Sequence, residues 1–224
     1  KIVKEMVIPT TKEALAEFLS TQDKASALVF ETGTHCRWMN EVAQSMGFKV
    51  YVANPCHLRM ITQSKAKNDV NDARTLARIA LADPGLLHPV KLRGAEYQKM
   101  LNLHEMRNLL VKQRTSIVIQ LRTIAKSMGY RIEKCQAASF HNLDRSAWPE
   151  KFSDISWPML KNLEQLSVTI KTYEKQIREL AQSPAFKVQV DRLMEIHYVG
   201  LIVATGFVAV TGGDMDRFEK PRDI

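Results

Sequence analysis

The chain has few cysteines, and their spacing does not organise a fold. Among its 224 residues there are three, Cys36, Cys56 and Cys135, an odd number without a Cys-x-x-Cys pair. A disulfide framework needs an even set of thiols and a zinc knuckle needs closely spaced ones, so neither is indicated. We therefore expect a protein of the reducing cytoplasm.

Long apolar runs are also missing from the sequence. No stretch approaches the roughly 20 apolar residues that a helix needs to cross a bilayer, and the first residues lack a signal-peptide pattern. We therefore predict no membrane partner. The sequence opens on Lys1 rather than methionine, so we expect the true start of the protein to lie upstream.

The chain does carry an excess of positive charge, much of it in one segment. The formal net charge is +8 at pH 7, and between residues 99 and 134 eight basic side chains stand against two acidic ones. This concentration favours a polyanionic partner, with simple solubility as the alternative. The candidate nucleic-acid-binding residues in this segment are Arg107, Lys112, Arg114, Arg122 and Lys126. Lys65, Lys67 and Arg74, earlier in the chain, are further candidates.

Strand and helix patterns alternate over the first part of the chain. The apolar run Ala27-Leu28-Val29-Phe30-Glu31 predicts a buried parallel strand, and further strands are predicted over residues 1–8 and 48–53. Helical spacing of apolar residues lies between them, with Thr10 or Thr11 as a cap. This alternation is typical of an α/β fold, in which helices cover a parallel sheet.

Three carboxylates are placed to converge at one end of that sheet. Glu31 ends the apolar strand, and ligands gather at the carboxyl ends of parallel strands. Asp69 and Asp72, within the stretch KNDVNDA, lie one turn apart on one face at the start of a predicted helix. A helix cap or a solvated face is the simpler interpretation of these aspartates taken alone.

A metal ion would explain why the three acids are grouped. Crowded carboxylates repel one another unless a divalent cation neutralises them, and Mg²⁺ flanked by phosphate is a common solution. The grouping of Glu31, Asp69 and Asp72 is therefore consistent with a site for a divalent metal and phosphate, beside the simpler interpretation.

Two long helices are predicted in the second half of the chain. One covers residues 98–128, and the other covers 158–182 with apolar residues alternately four and three apart, which is the pattern of a coiled-coil seam. We predict that the two helices form a coiled coil that joins copies of the chain into a dimer or a tetramer. The stretch between them, with Trp148-Pro149 and Trp157-Pro158, predicts a loop with aromatic anchors.

The last part of the chain changes character after Ser183-Pro184. Residues 193–204 resemble a helix-hairpin-helix, a motif in which hairpin amides meet a phosphate. The motif usually has glycine where this chain has Tyr198, which argues against a close backbone approach there. We predict three parts in the chain, over residues 1–93, 94–184 and 185–224.

The order of these motifs resembles a known family. Glu-Thr-Gly-Thr-His-Cys-Arg-Trp from Glu31, then Asn54-Pro55, then the run from Lys67 to Ala77 are similar to DEDD-type transposases of bacterial insertion sequences, relatives of the Piv DNA invertases. The resemblance implies an RNase H/RuvC-like N-terminal domain with an Asp-Glu-Asp-Asp tetrad. Glu31, Asp69 and Asp72 match its second, third and fourth members, so the resemblance implies that they are catalytic residues and ligands of Mg²⁺ or Mn²⁺.

The resemblance also implies what the chain lacks and what it does. The first aspartate of the tetrad and a serine nucleophile would lie beyond the two ends, so we expect a truncated chain that is inactive alone. The implied activity is metal-dependent DNA cleavage and rejoining, guided by a structured non-coding RNA. The alternatives are a RuvC-like nuclease that hydrolyses DNA with two metals, and a non-catalytic nucleic-acid-binding or assembly module.

Overall fold

A computed structural model describes residues 3–55, 58, 69–215 and 218 of the chain. These residues are mostly helical, and the chain divides into two units, residues 1–92 and 93–224. Within the described ranges, no helix combines the length and apolar character that crossing a membrane requires.

The first unit is built on two parallel strands. Its elements are α1 (Lys12–Ser20), β1 (Ala27–Glu31), α2 (Cys36–Ser45), β2 (Lys49–Ala53), α3 (Asp69–Ala82) and a 3-10 helix (Pro84–Leu87). The strands pair in register from Ala27 with Lys49 to Glu31 with Ala53. The structure thus confirms both of these strands and is compatible with the predicted α/β class.

Two sequence predictions for this unit are wrong. Residues 3–9 form no regular strand, and Val3 and Val7 are 96% and 91% exposed, so their alternation buries no face. Strand β1 is half-buried rather than buried, with Ala27 and Glu31 exposed at its ends. The reason is that, among the described residues, β1 pairs with a single neighbouring strand.

The helices α1 and α2 form where local chemistry predicts them. The Thr11 side chain accepts a hydrogen bond from the Ala14 amide at 3.2 Å, which caps α1. Leu15 and Leu19 on the inner face of α1 then pack with Ala43 of α2. This small core holds the two helices together and packs them against both strands.

The second unit is a pair of long helices with two short ones packed on it. Its elements are α4 (Ala95–Ser127), a second 3-10 helix (Ala137–Asn142), α5 (Glu150–Ala181), α6 (Lys187–Met194) and α7 (Leu201–Thr211). The end of α4 and the start of α5 share one core, which includes Leu121 and Phe152. The start of α4 and the end of α5 share another, which includes Met100 and Ile177. The pair is therefore antiparallel.

The predicted loop at Trp157-Pro158 is wrong, because both residues lie inside α5. Proline within a helix costs about 3 kcal/mol, since it lacks an N–H and its ring crowds the preceding turn. Phe152 and Leu160, before and after Pro158, are buried in the core and offset that cost. Trp148 is buried in the same core, so its predicted role as an aromatic anchor is confirmed.

The apolar seam predicted on α5 is largely covered by the chain itself. Leu163, Leu166, Ile170 and Ile177 are at most 9% exposed in the single chain. Leu163 lies in the core that α4, α5 and the second 3-10 helix share, and Ile177 lies in the core where the short helices join the pair. A coiled coil between copies of the chain stays a prediction.

Candidate functional site

Glu31 stands at the carboxyl end of β1, where the sequence placed it. Its side chain is exposed, and the next residue, Thr32, donates its backbone N–H to the Ala53 carbonyl oxygen at 3.1 Å. That bond extends the pairing of the two strands by one residue. Glu31 is therefore held on ordered backbone while its carboxylate stays accessible to a ligand.

Asp69 and Asp72 lie on the first turn of α3, with Asp69 exposed and Asp72 half-buried. By helical spacing they share a face with Leu76 and Ile79, which follow Asp72 by one and two turns. Leu76 and Ile79 pack in one cluster with Val29 of β1. The face of α3 that carries the acidic pair is thus the face that packs on the sheet.

The three acids have the right chemistry for a hard cation, since carboxylate oxygens are the preferred ligands of Mg²⁺. Within the described part of the chain, however, no three acidic, histidine or cysteine side chains are grouped closely enough to hold a metal ion. Glu31, Asp69 and Asp72 therefore do not form a ready metal site in this structure. Their roles as catalytic residues and ligands stay a prediction.

Arg74, two residues after Asp72, is engaged by the N-terminal segment. Its Nη2 donates to Oε2 of Glu5 at 2.7 Å, and its Nε donates to Oε1 of the same carboxylate. These hydrogen bonds lower the pKa of Glu5 and raise the pKa of Arg74. Arg74 thus ties residues 3–9 to α3, a role that its sequence position does not suggest. Lys65 and Lys67 lie outside the described residues.

The basic residues of α4 fall into two groups. Lys112 and Lys126 are exposed along the helix and are free to meet a polyanion. Arg107 instead donates to Glu174 of α5, from Nε at 3.0 Å and from Nη2 at 2.8 Å. Arg114 is half-buried between the helices. Part of the charge that the sequence assigned to nucleic acid therefore also stabilises the helix pair.

Arg122 is the clearest case of a basic residue with a structural role. Its Nη1 donates to the Ile132 carbonyl oxygen at 3.0 Å and its Nη2 donates to the Glu133 carbonyl oxygen at 2.8 Å. Its guanidinium carbon also lies 5.2 Å from the ring centre of Phe140. Arg122 fastens the chain after α4 back onto that helix.

The turn between α6 and α7 has a left-handed backbone conformation at Tyr198, the position where the motif usually has glycine. Tyr198 has φ of 69°, in the left-handed region that favours glycine. Its side chain is exposed, and its ring centre lies 3.8 Å from that of His197. The residue type was therefore a poor guide to the backbone here, and phosphate binding by this turn stays a prediction.

His104 is a buried polar residue that the sequence did not single out. It lies on the inner face of α4, and its Nε2 is 3.0 Å from the Thr205 hydroxyl of α7. Burial, with a smaller contribution from the charge of Arg107, lowers the pKa of His104. Its position four residues after buried Met100 was the available clue to its burial.

We expect the stability of the chain to fall on acidification because of His104. On acidification the unfolded chain protonates this imidazole more readily than the folded chain does. The contribution of His104 to the free energy of unfolding is therefore fully present above the ordinary histidine pKa of about 6.5, and it is lost as the pH falls below that value. Urea unfolding at pH 7.5 and 5.5 should show a smaller loss for His104→Gln, which keeps a hydrogen-bonding side chain but does not titrate. The exposed His197→Gln is the control. Equal losses in His104→Gln and the parent would contradict the assignment.

Comparison with known proteins gives matches over most of the chain. Residues 1–129 match a family model, DEDD_Tnp_IS110, described as "Transposase". A probable family 20 transposase of Pseudomonas aeruginosa is 24% identical over 191 residues, which cover 84% of this chain and 55% of that relative. A transposase for insertion sequence element IS1111A of Coxiella burnetii is 23% identical over 228 positions, which cover 97% of this chain and 60% of that relative. The chain thus spans little more than half the length of these curated relatives.

Proposed function

Because the family match covers more than half of its length, this chain belongs to the DEDD transposase family of insertion sequences, and we propose that it takes part in cutting and rejoining DNA. The observation that carries the proposal is this match, over the residues that include Glu31, Asp69 and Asp72. Both curated relatives are also named as transposases.

The chemistry is proposed to lie in the first unit, at the acids near β1 and α3. Glu31 offers an exposed carboxylate at a strand end, and Asp72 lies on the sheet-packing face of α3. Mg²⁺ or Mn²⁺ bound by these groups would stabilise the charge that develops on a phosphodiester during cleavage. Since the three acids are not yet grouped for a metal in this structure, we assign them as candidate ligands only.

The partners are proposed to be DNA and a structured non-coding guide RNA, which would select the target by base pairing. In such a division of labour the protein holds backbone and reads shape, while pairing reads sequence. A net charge of +8 suits this role. We keep the three-part organisation, and a homo-oligomer formed through the long helices, as parts of the same proposal.

The test is cleavage of a supercoiled plasmid that carries the ends of the element, with the intact transposase, Mg²⁺ and the non-coding RNA present. Strand cleavage that requires both the metal and the RNA is the expected result. Cleavage of branched DNA without RNA would favour a RuvC-like nuclease. Binding of DNA and RNA without any cleavage would favour the non-catalytic module.

We expect the outer face of α4 to hold nucleic-acid backbone without choosing sequence. Each phosphate contact steepens the log-log salt dependence of binding by about 0.7 to 0.9, so Lys112→Ala with Lys126→Ala should flatten the slope by about 1.5. Arg122→Ala is a poor probe, because this side chain also holds Ile132 and Glu133. Titrations of a labelled duplex and a labelled RNA at several salt concentrations measure the slopes.

The matched control for this charge change is Lys151→Ala, on the exposed side of electrically balanced α5. It should leave the slope nearly unchanged. Loss of affinity for one sequence alone in the Lys112 and Lys126 double variant would indicate base readout and overturn the backbone assignment.

A further inference from the structure

A cleft with several polar side chains in its lining lies between α4, α5 and the 3-10 helix over residues 137–142. Its volume is about 290 Å³, so it has room for a ligand larger than a water molecule. Its polar lining includes Arg114, Ser139, His141, Asn142 and Lys171. The cleft lies within the second unit and contains none of the three candidate metal ligands.

Two nitrogen atoms of this lining are buried without a hydrogen-bond partner among the described residues. They are Nε of Arg114 and Nδ1 of His141. Buried polar atoms are nearly always hydrogen bonded, so two exceptions at one cleft need an explanation. Arginine Nε is only a donor, and a protonated Nδ1 is a donor as well. A ligand with several acceptor oxygens would satisfy both atoms.

The charge of the cleft favours an anion. Glu174 also lines it, but Oε1 of this carboxylate already accepts two hydrogen bonds from Arg107, at 3.0 and 2.8 Å. The other two charged side chains of the lining, Arg114 and Lys171, are both positive. Lys171 is exposed while Arg114 is half-buried, so the cleft offers one partly buried cation and one cation open to solvent.

We propose that this cleft binds a phosphate group, with Arg114 and His141 as donors from its buried side and Lys171 as the cation at its mouth. A planar guanidinium suits phosphate because its N–H groups match the spacing of the oxygens. The inference rests on the proposed function in one respect: the phosphate is expected to belong to nucleic acid held by α4. Free inorganic phosphate offers the same chemistry.

The experiment follows the Arg114 Nε–H signal of the 224-residue chain by ¹H–¹⁵N NMR, during titration first with inorganic phosphate and then with a short DNA duplex or the guide RNA. We expect the signal to shift with phosphate, and Arg114→Gln to raise the phosphate Kd about tenfold or more, because hydrogen bonds to charged groups are strong. Arg131→Gln is the matched control, because Arg131 is exposed and outside the cleft, and it should change the Kd little. Lys171→Gln changes an exposed side chain and should leave the fold intact. We expect it to raise the phosphate Kd about two- to fivefold.

The outcomes separate this inference from the proposed function. Shifts with both phosphate and nucleic acid support a cleft that holds backbone phosphate. A shift with phosphate alone, while nucleic acid still binds elsewhere on the chain, supports the phosphate site but assigns it to a free ligand. The inference is overturned if neither phosphate nor nucleic acid shifts the Arg114 signal and neither Arg114→Gln nor Lys171→Gln changes binding. Salt-dependent nucleic-acid binding in that case leaves the proposed function standing. Absence of nucleic-acid binding, with a phosphate shift at Arg114, contradicts the proposed function alone.

Discussion

Asp72→Asn in the intact transposase is expected to reduce DNA cleavage by at least about 100-fold. Loss of residues that merely support metal ligands costs 10- to 100-fold in affinity or activity, and loss of a ligand itself should cost at least as much. The substitution removes one negative charge with almost no change in volume. Asp72 is half-buried on the first turn of α3, so the fold should tolerate it. The measurement is the initial rate of plasmid nicking with Mg²⁺ and guide RNA in excess.

A matched control separates the loss of a ligand from the loss of a charge. Glu13→Gln removes one exposed acid from the first turn of α1, in the same unit as Asp72. It should cleave at the parent rate, and both variants should bind DNA about as tightly as the parent. Full activity of Asp72→Asn would show that the chemistry resides on other residues. A parallel loss of DNA affinity and of the folded state would show that the effect is structural.

The elements that the sequence predicted well are those determined by neighbouring residues. Thr11 caps α1 because its side chain accepts a hydrogen bond from an amide three residues later, and the mostly apolar run Ala27–Glu31 forms a strand. Gly47 ends α2 with φ of 86°, a conformation that glycine adopts freely. Each of these depends on chemistry that a short window of sequence contains.

The parts that the sequence missed depend on contacts between distant residues. Pro158 and its neighbours look like a loop until Phe152 and Leu160 are seen to be buried against α4 and the 3-10 helix. Arg74 looks free until it meets Glu5, 69 residues away along the chain. Local periodicity contains no information about such partners, so it predicted helices and charges but not their tertiary roles.

The candidate site shows the same division between local and long-range information. The spacing of Asp69 and Asp72 predicted a shared helical face, and α3 begins at Asp69 in the structure. How closely Glu31 approaches that face depends on how α3 packs against β1, which no spacing determines. His141 and Arg114 meet at one cleft because residues 137–142 pack between two helices, again without a sequence pattern to announce it.

Ile177→Asp is expected to unfold the second unit or to destabilise it by more than about 4 kcal/mol. Ile177 is 0% exposed and lies in the core that α4, α5, α6 and α7 share. A buried carboxylate without a partner there loses its hydration, and the apolar contacts of the isoleucine are lost as well. Urea unfolding followed by circular dichroism measures the change in the free energy of unfolding.

Val168→Asp on the same helix is the matched control, because Val168 is 54% exposed and the same charge would remain in water. It should change stability by about 0.5 kcal/mol. Light scattering on both variants then separates packing within the chain from association between chains. If Ile177→Asp keeps the parent's unfolding free energy and only lowers the molecular mass in solution, the residue serves a contact between copies, and its assignment to the core of the single chain is wrong.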